Sequence, residues 1–243
     1  MVLRCYPQGK RKAFNITYDD GIEQDVRFVA LLNRYGLKGT FNLNSQLLSK
    51  RGILVRKDGR RICHYKLHPE DVAYVYEGHE IAAHTLTHPN LTQCDDGEVI
   101  RQVEEDRLRL SELAGYEVVG MAYPCGGVNN DDRVAELIKT HTGIRYSRTI
   151  TENARFDPQE NLFRFQPTIH SARFDQMMEL AHEFLEMKTE TPKIFYVWGH
   201  SYEMDFAVDW TRLEEFFKLI SQREDVFYGT NREILLGSHG DRK

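Results

Sequence analysis

The feature that most limits what this chain can fold into is a rhythm. Short stretches rich in β-branched and aromatic residues alternate with longer segments whose apolar side chains recur at helical spacing. The first stretch, Ala13-Phe14-Asn15-Ile16-Thr17-Tyr18, reads as a strand. In residues 23–35 that follow, Phe28, Leu31, Leu32 and Tyr35 fall at i, i+3, i+4 and i+7, one buried stripe closed by Gly36. A second strand is predicted over 38–43. Strand, helix and strand in this order favour parallel strands joined by crossovers.

The rhythm continues with strands predicted at 80–83, 118–123, 144–149 and 193–198, an extended stretch at 162–166 and a weak strand at 226–228. Helices are predicted at 69–76, 96–114, 131–141, 174–185, 210–222 and 232–236. One segment breaks the pattern: Ile53-Leu54-Val55 and Arg61-Ile62-Cys63 flank Lys57-Asp58-Gly59-Arg60, an Asp-Gly turn signal, so 48–66 reads as a hairpin insertion after the second strand. With no linker, composition break or internal repeat, residues 1–243 are expected to form a single α/β domain around a parallel sheet of about seven strands.

With 32 Lys and Arg against 37 Asp and Glu, a net charge of -5 leaves no cationic excess for a phosphate backbone, and nucleic acid is not an expected partner. No run approaches the roughly 18 apolar residues that span a bilayer. Residues 1–12 lack the apolar core of a secretory signal, so the expectation is a cytoplasmic protein with no membrane partner. Cys5, Cys63, Cys94 and Cys125 form no CxxC pair and are expected to be reduced thiols.

Chemistry gathers at the C-terminal ends of the predicted strands, where α/β folds place reactive residues. The first strand ends in Tyr18-Asp19-Asp20-Gly21; adjacent carboxylates there suggest a nearby cation, with a helix N-cap as the plainer reading. The strand at 80–83 runs into His84-Thr85-Leu86-Thr87-His88, an HxxxH spacing that suits a divalent metal. The strand at 193–198 runs into Gly199-His200, in isolation most often a structural histidine. Together, one carboxylate and two imidazoles make a three-ligand set with an open position. The remaining carboxylate and histidine are the base and acid that metal-assisted hydrolysis requires.

These segments resemble the NodB-homology polysaccharide deacetylases, carbohydrate esterase family 4. Thr17-Tyr18-Asp19-Asp20-Gly21 is similar to that family's Thr-Phe-Asp-Asp-Gly, His84-Thr85-Leu86-Thr87-His88 to its His-Ser/Thr-x-x-His, and Val197-Trp198-Gly199-His200 to its Leu-x-x-His. The resemblance implies a distorted (β/α)7 barrel with its site at the C-terminal face. It implies Asp19 as general base, His200 as general acid, and Asp20, His84 and His88 as ligands of a divalent metal, zinc first, with cobalt or nickel as alternatives. The third motif, Arg-x-Pro-Tyr/Phe, aligns with Ala122-Tyr123-Pro124-Cys125. Cys125 can still lend its backbone N–H to an oxyanion, while Tyr123, Pro124, Val197 and Trp198 are implied substrate contacts.

The arginine that normally pairs with the base is absent, leaving Arg145, Arg148 or Arg164 to reach it, and Glu203 or an unidentified Asp to orient His200. The implied activity is removal of acetyl groups from an N- or O-acetylated carbohydrate by a metal-activated water. The alternatives are an inert metal- and carbohydrate-binding protein and a hydrolase of a non-acetyl linear amide. A Cys125 nucleophile paired with His200 would leave the metal ligands unexplained. Trp198, Tyr202 and Trp210 fit the core more readily than a sugar-stacking role. His64 and His68 read as solvated loop residues and His79 as a strand-edge hydrogen-bonding group, whereas His141, His170, His182 and His239 carry no partner signal. The sequence does not specify an oligomeric state.

Overall fold

The structure, a computed structural model, describes residues 5–237, so His239 lies outside the described residues. The chain runs β1 (Lys12–Asp19), α1 (Gln24–Arg34), β2 (Gly39–Leu43), β3 (Arg51–Val55), β4 (Arg61–Tyr65), α2 (Val72–Val75) and β5 (Glu80–Ala83). It continues α3 (Asp96–Ala114), β6 (Gly120–Ala122), α4 (Asp132–His141), β7 (Tyr146–Arg148), β8 (Ile169–His170), α5 (Phe174–Glu186), β9 (Lys193–Gly199), α6 (Trp210–Ile220) and β10 (Val226–Tyr228).

Eight strands form one parallel sheet in the order β7-β6-β5-β2-β1-β9-β8, with β10 added to β1. The sheet curls into a half-barrel. At its centre, β1 pairs with β9 along Lys12 to Tyr18, with β2 along Ile16 to Asp19, and with β10 along Lys12 to Phe14.

All eight residues of β1 are buried, and the period-2 alternation of a strand divides them between two layers. Phe14, Ile16 and Tyr18 join the larger core under the helices, which also takes Phe195 and Val197 of β9. Ala13 joins Tyr146, Ile194 and Tyr196 in a smaller core within the curl. Asn15, Thr17 and Asp19 share Ala13's parity, and their polar atoms are met inside: Asn42 Nδ2 donates to Thr17 Oγ1 at 2.8 Å, and Asn15 hydrogen-bonds Asn231. Alternation therefore carries Asp19 to the interior face at the strand's C-terminal end.

The helices begin and end where local chemistry directs. Asp95 accepts from the Glu98 N–H at the start of α3, and Gly115, at φ +73°, closes it. Asp131 and Asp209 cap α4 and α6 in the same way.

Several expectations are corrected. The stretch 162–166 is a 3₁₀ turn, Leu162–Arg164, followed by a single bridge from Phe165 to Arg148. The short strand β8 was not anticipated, because two residues carry no periodicity. The helix expected over 69–76 opens as a 3₁₀ turn, Pro69–Asp71. Strands β3 and β4 pair antiparallel, with Ile53 opposite Cys63, as a separate two-stranded unit between β2 and β5. Among the described residues no helix is long and apolar enough to cross a membrane.

Candidate active site

A cleft of about 630 Å³ opens at the C-terminal ends of the strands, lined by Asp19, Asp20, His84, His88, Cys125 and His200 among others. Of the eight non-glycine residues with positive φ among those described, four lie in the turns that carry the cleft's residues: Asp20 (86°), Thr85 (69°), His88 (63°) and Cys125 (70°). Left-handed backbone at such residues costs on the order of 1–3 kcal/mol each and tends to gather at functional sites. Gly21, at φ +61°, completes the turn after the paired aspartates, and a Cβ there would lie 2.8 Å from Leu43 Cγ.

Asp19 is 2% exposed. Arg148 Nη2 holds both its carboxylate oxygens at 2.5 Å, and Asn42 Nδ2 donates to Oδ1 at 2.8 Å. Burial pushes this carboxyl upward, but the Arg148 guanidinium, aided by His84 and His200, outweighs it and holds Asp19 below the usual carboxylate range. Of the three arginines considered, Arg148 is the one that reaches Asp19. It is also the register partner of Ala122 across the β6–β7 ladder. The cation missing from the third motif is thus supplied by the neighbouring strand at the same level.

Asp20, His84 and His88 present ligand atoms that all lie within 4.8 Å of one another. His84 Nδ1 donates to the Ala122 carbonyl at 2.9 Å, which leaves Nε2 with its lone pair directed inward, 4.0 Å from Asp19 Oδ2. Burial drives His84 down to about 4 and lowers His88 as well, so both imidazoles are neutral at physiological pH, the form that binds metal. Burial opposes ionisation of Asp20, yet the Lys66 ammonium and a hydrogen bond to His64 hold it well below its ordinary value. Lys66 Nζ lies 3.0 Å from Oδ1 and His64 Nε2 3.1 Å from Oδ2. A carboxylate has about four lone-pair sites, so these contacts leave Asp20 able to bind a cation too. Two neutral imidazoles and a carboxylate fit a divalent metal with bonds of roughly 2.0–2.2 Å.

His200 faces the same cleft with Nδ1 3.4 Å from Glu203 Oε1. Burial lowers its pKa, but Glu203, then Asp20 and Asp19, more than reverse this and raise it to about 9. At neutral pH His200 is a cation. Its loop is fastened by Asp25, which accepts from Ser201 Oγ at 2.5 Å, Tyr76 Oη at 2.6 Å and the Ile22 N–H at 3.3 Å, tying the turn after Asp20 to the turn after His200.

Of the other residues singled out in the sequence, Cys125, Tyr123 and Trp198 line the cleft, and Cys125 Sγ lies 3.4 Å from the His88 carbonyl. Pro124 is buried off the lining, and Val197, by strand parity, faces the helices with no exposure. Any influence of these two on a ligand passes through the residues they support. Tyr202 lines the cleft, whereas Trp210 stacks beneath Arg27 outside it. His79 accepts from the Gly39 N–H at 3.0 Å, a strand-edge role.

His64 is not a solvated loop residue: the β3–β4 unit folds over the site and brings it to Asp20. Lys66 and Asn42 were missed altogether. No local signal marks them, because their partners are 46 and 23 residues away.

The sequence profile of the polysaccharide deacetylase family matches residues 7–146 of this chain. A peptidoglycan-N-acetylglucosamine deacetylase of Listeria monocytogenes is 29% identical over 136 residues, 54% of this chain and 25% of the relative. A chitooligosaccharide deacetylase of Rhizobium leguminosarum bv. trifolii is 49% identical over 43 residues, 17% of this chain and 20% of that protein. The matches therefore span a quarter or less of these curated relatives. A solved Mycobacterium smegmatis structure assigned as a polysaccharide deacetylase superposes at a TM-score of 0.64, with 16% identity, covering 98% of this chain and 93% of the other.

Proposed function

The chain belongs to the polysaccharide deacetylase family, and from that premise we propose that it hydrolyses acetyl groups from an N- or O-acetylated carbohydrate. The observation that carries this reading is the convergence of Asp19 and His200 with Asp20, His84 and His88 on one cleft. An ionised carboxylate, Asp19, and a protonated imidazole, His200, accompany a three-residue metal-ligand set.

Asp20, His84 and His88 are the residues that would hold the metal, zinc by first choice. When bound it supplies Lewis-acid polarisation of the acyl oxygen and a water of lowered pKa. Asp19, oriented by Arg148 and Asn42, takes the proton from the attacking water. The Cys125 backbone N–H, at the cleft rim, is offered to the developing oxyanion. With Nδ1 beside Glu203, His200 has Nε2 available to protonate the departing amine or alkoxide. Arg148 on Asp19 removes the main motive for an inert binding protein, which was the absence of the motif arginine.

The test is acetate release from a panel of acetylated sugars after chelation and again after addition of Zn²⁺ or Co²⁺. Metal-restored release from at least one member is expected. A panel wholly resistant, with metal still bound by the protein, would overturn the deacetylase reading in favour of binding or of another amide.

The same reading fixes a pH dependence. The acid must be protonated, so kcat/KM should decline on the alkaline side as His200 loses its proton, no higher than about pH 9. In Glu203→Gln the imidazolium loses its nearest anion, and the decline should begin at lower pH. An alkaline limb that stays put in that variant would show that another group controls it.

A further inference from the structure

The His200–Glu203 pair has a third member that the mechanism does not use. His170 ends β8, whose pairing with β9 sets it level with Trp198, and its ring packs edge-on against that indole with centroids 4.3 Å apart. The Ala172 N–H donates to His170 Nδ1 at 3.0 Å. A nitrogen that accepts cannot also carry the proton, so in the neutral ring the proton is on Nε2. That Nε2 faces Glu203 Oε1 at 3.4 Å, the same oxygen that lies 3.4 Å from His200 Nδ1, while Oε2 accepts the His200 backbone N–H at 3.2 Å.

The geometry points to His170 as a positioning residue that acts through Glu203: it turns the Glu203 carboxylate so that both oxygens hold His200 in the orientation for proton donation. This rests on the acid role proposed for His200. Burial lowers the pKa of His170, which keeps it neutral beside the cationic His200.

The ligand atoms of His170, His200 and Glu203 also lie within 4.8 Å of one another, close enough for a second metal. The Ala172 contact argues against that use. A metal on Nε2 would require the proton on Nδ1, where it would meet the Ala172 N–H head-on.

The first test needs no substrate. In zinc-supplemented protein carrying ¹⁵N-labelled histidine, side-chain NMR should find His170 as the Nε2–H tautomer, and an Nδ1–H tautomer would overturn the inference. The second uses tetra-N-acetylchitotetraose or whichever acetylated sugar of the panel is turned over. His170→Leu should lower kcat at least tenfold with KM changed less than twofold, His170→Gln should restore most of the loss, and His170→Leu should add less than twofold in a Glu203→Gln background. Independent, multiplying losses would mean that His170 does not act through Glu203. Should His170→Leu fail to fold, His170→Gln and the wild-type tautomer still decide. If His200→Ala kept full turnover, the acid role and this inference would fall together. If His200→Ala is inactive and the two losses multiply, only this inference falls.

Discussion

Arg148→Met is expected to cost about 3–5 kcal/mol of folding stability, the range for breaking a buried ion pair by removing one partner, and to reduce turnover at least a hundredfold. Arg148 has no exposure, and its Nη2 holds both oxygens of an Asp19 that is itself 2% exposed. Nη1 donates to the Thr149 carbonyl at 3.2 Å, and the guanidinium lies 4.6 Å over the Trp198 ring. Methionine replaces the volume but not the charge. Asp19 then faces the cost of burial without the cation that outweighs it, and the cheapest response is to take up a proton. A protonated Asp19 cannot act as a base. The double variant Arg148→Met/Asp19→Asn should recover part of the lost stability, because it no longer strands a charge, while remaining inactive. Urea unfolding and kcat measured on the same preparations check this. A single variant within about 1 kcal/mol of wild type and fully active would refute the pairing as the support of the base.

Asp19→Asn should lower kcat by about 10²- to 10⁴-fold, the usual contribution of a positioned proton acceptor, and leave metal affinity within a few-fold of wild type. The amide oxygen still accepts from Arg148, but the buried guanidinium loses its counter-charge and cannot shed its proton, so the stability loss should fall in the same range of about 3–5 kcal/mol. Asp20→Asn provides the contrast. It removes a carboxylate from the ligand set, so metal affinity should fall by more than tenfold and activity with it. Titration calorimetry with Zn²⁺ separates the two variants. If Asp19→Asn lost the metal and Asp20→Asn kept it, the roles of the adjacent carboxylates would have to be exchanged.

The contrast between these neighbours shows how far a linear reading reaches. Strand-helix alternation was legible because burial of one helix face leaves a helical period and burial of both strand faces leaves short apolar runs, and neither needs tertiary information. Asp19, Asp20, His84, His88 and His200 stood out because ionisable groups at the ends of apolar strands are costly without partners, but each alone allowed a plainer reading, and their proposed roles came from the family resemblance. Elements too short for a period, such as β8 with two residues, left no imprint, and His170 at its end therefore carried no signal.

Parity explains another difference. Val197 and Trp198 are adjacent in a motif-like segment, yet a strand turns alternate residues to opposite faces, so Trp198 lines the cleft while Val197 packs under the helices. The sequence places both at a strand end but does not say which parity faces inward. That depends on the curl of the sheet.

What the sequence by itself determined is the fold class and the strand ends where ionisable residues gather, since each follows from local periodicity or from the cost of burying charge, while the roles proposed for those residues rest on the family resemblance. What only the tertiary structure decided is how those charges are partnered. Arg148 lies 129 residues from Asp19 and Lys66 lies 46 from Asp20. Both pairings arise from strand register, in which Arg148 stands level with Ala122, and from the folding of the β3–β4 unit over the cleft. Charge pairing is set by distance in space, and along this chain many arginines and lysines were equally available until the sheet curled.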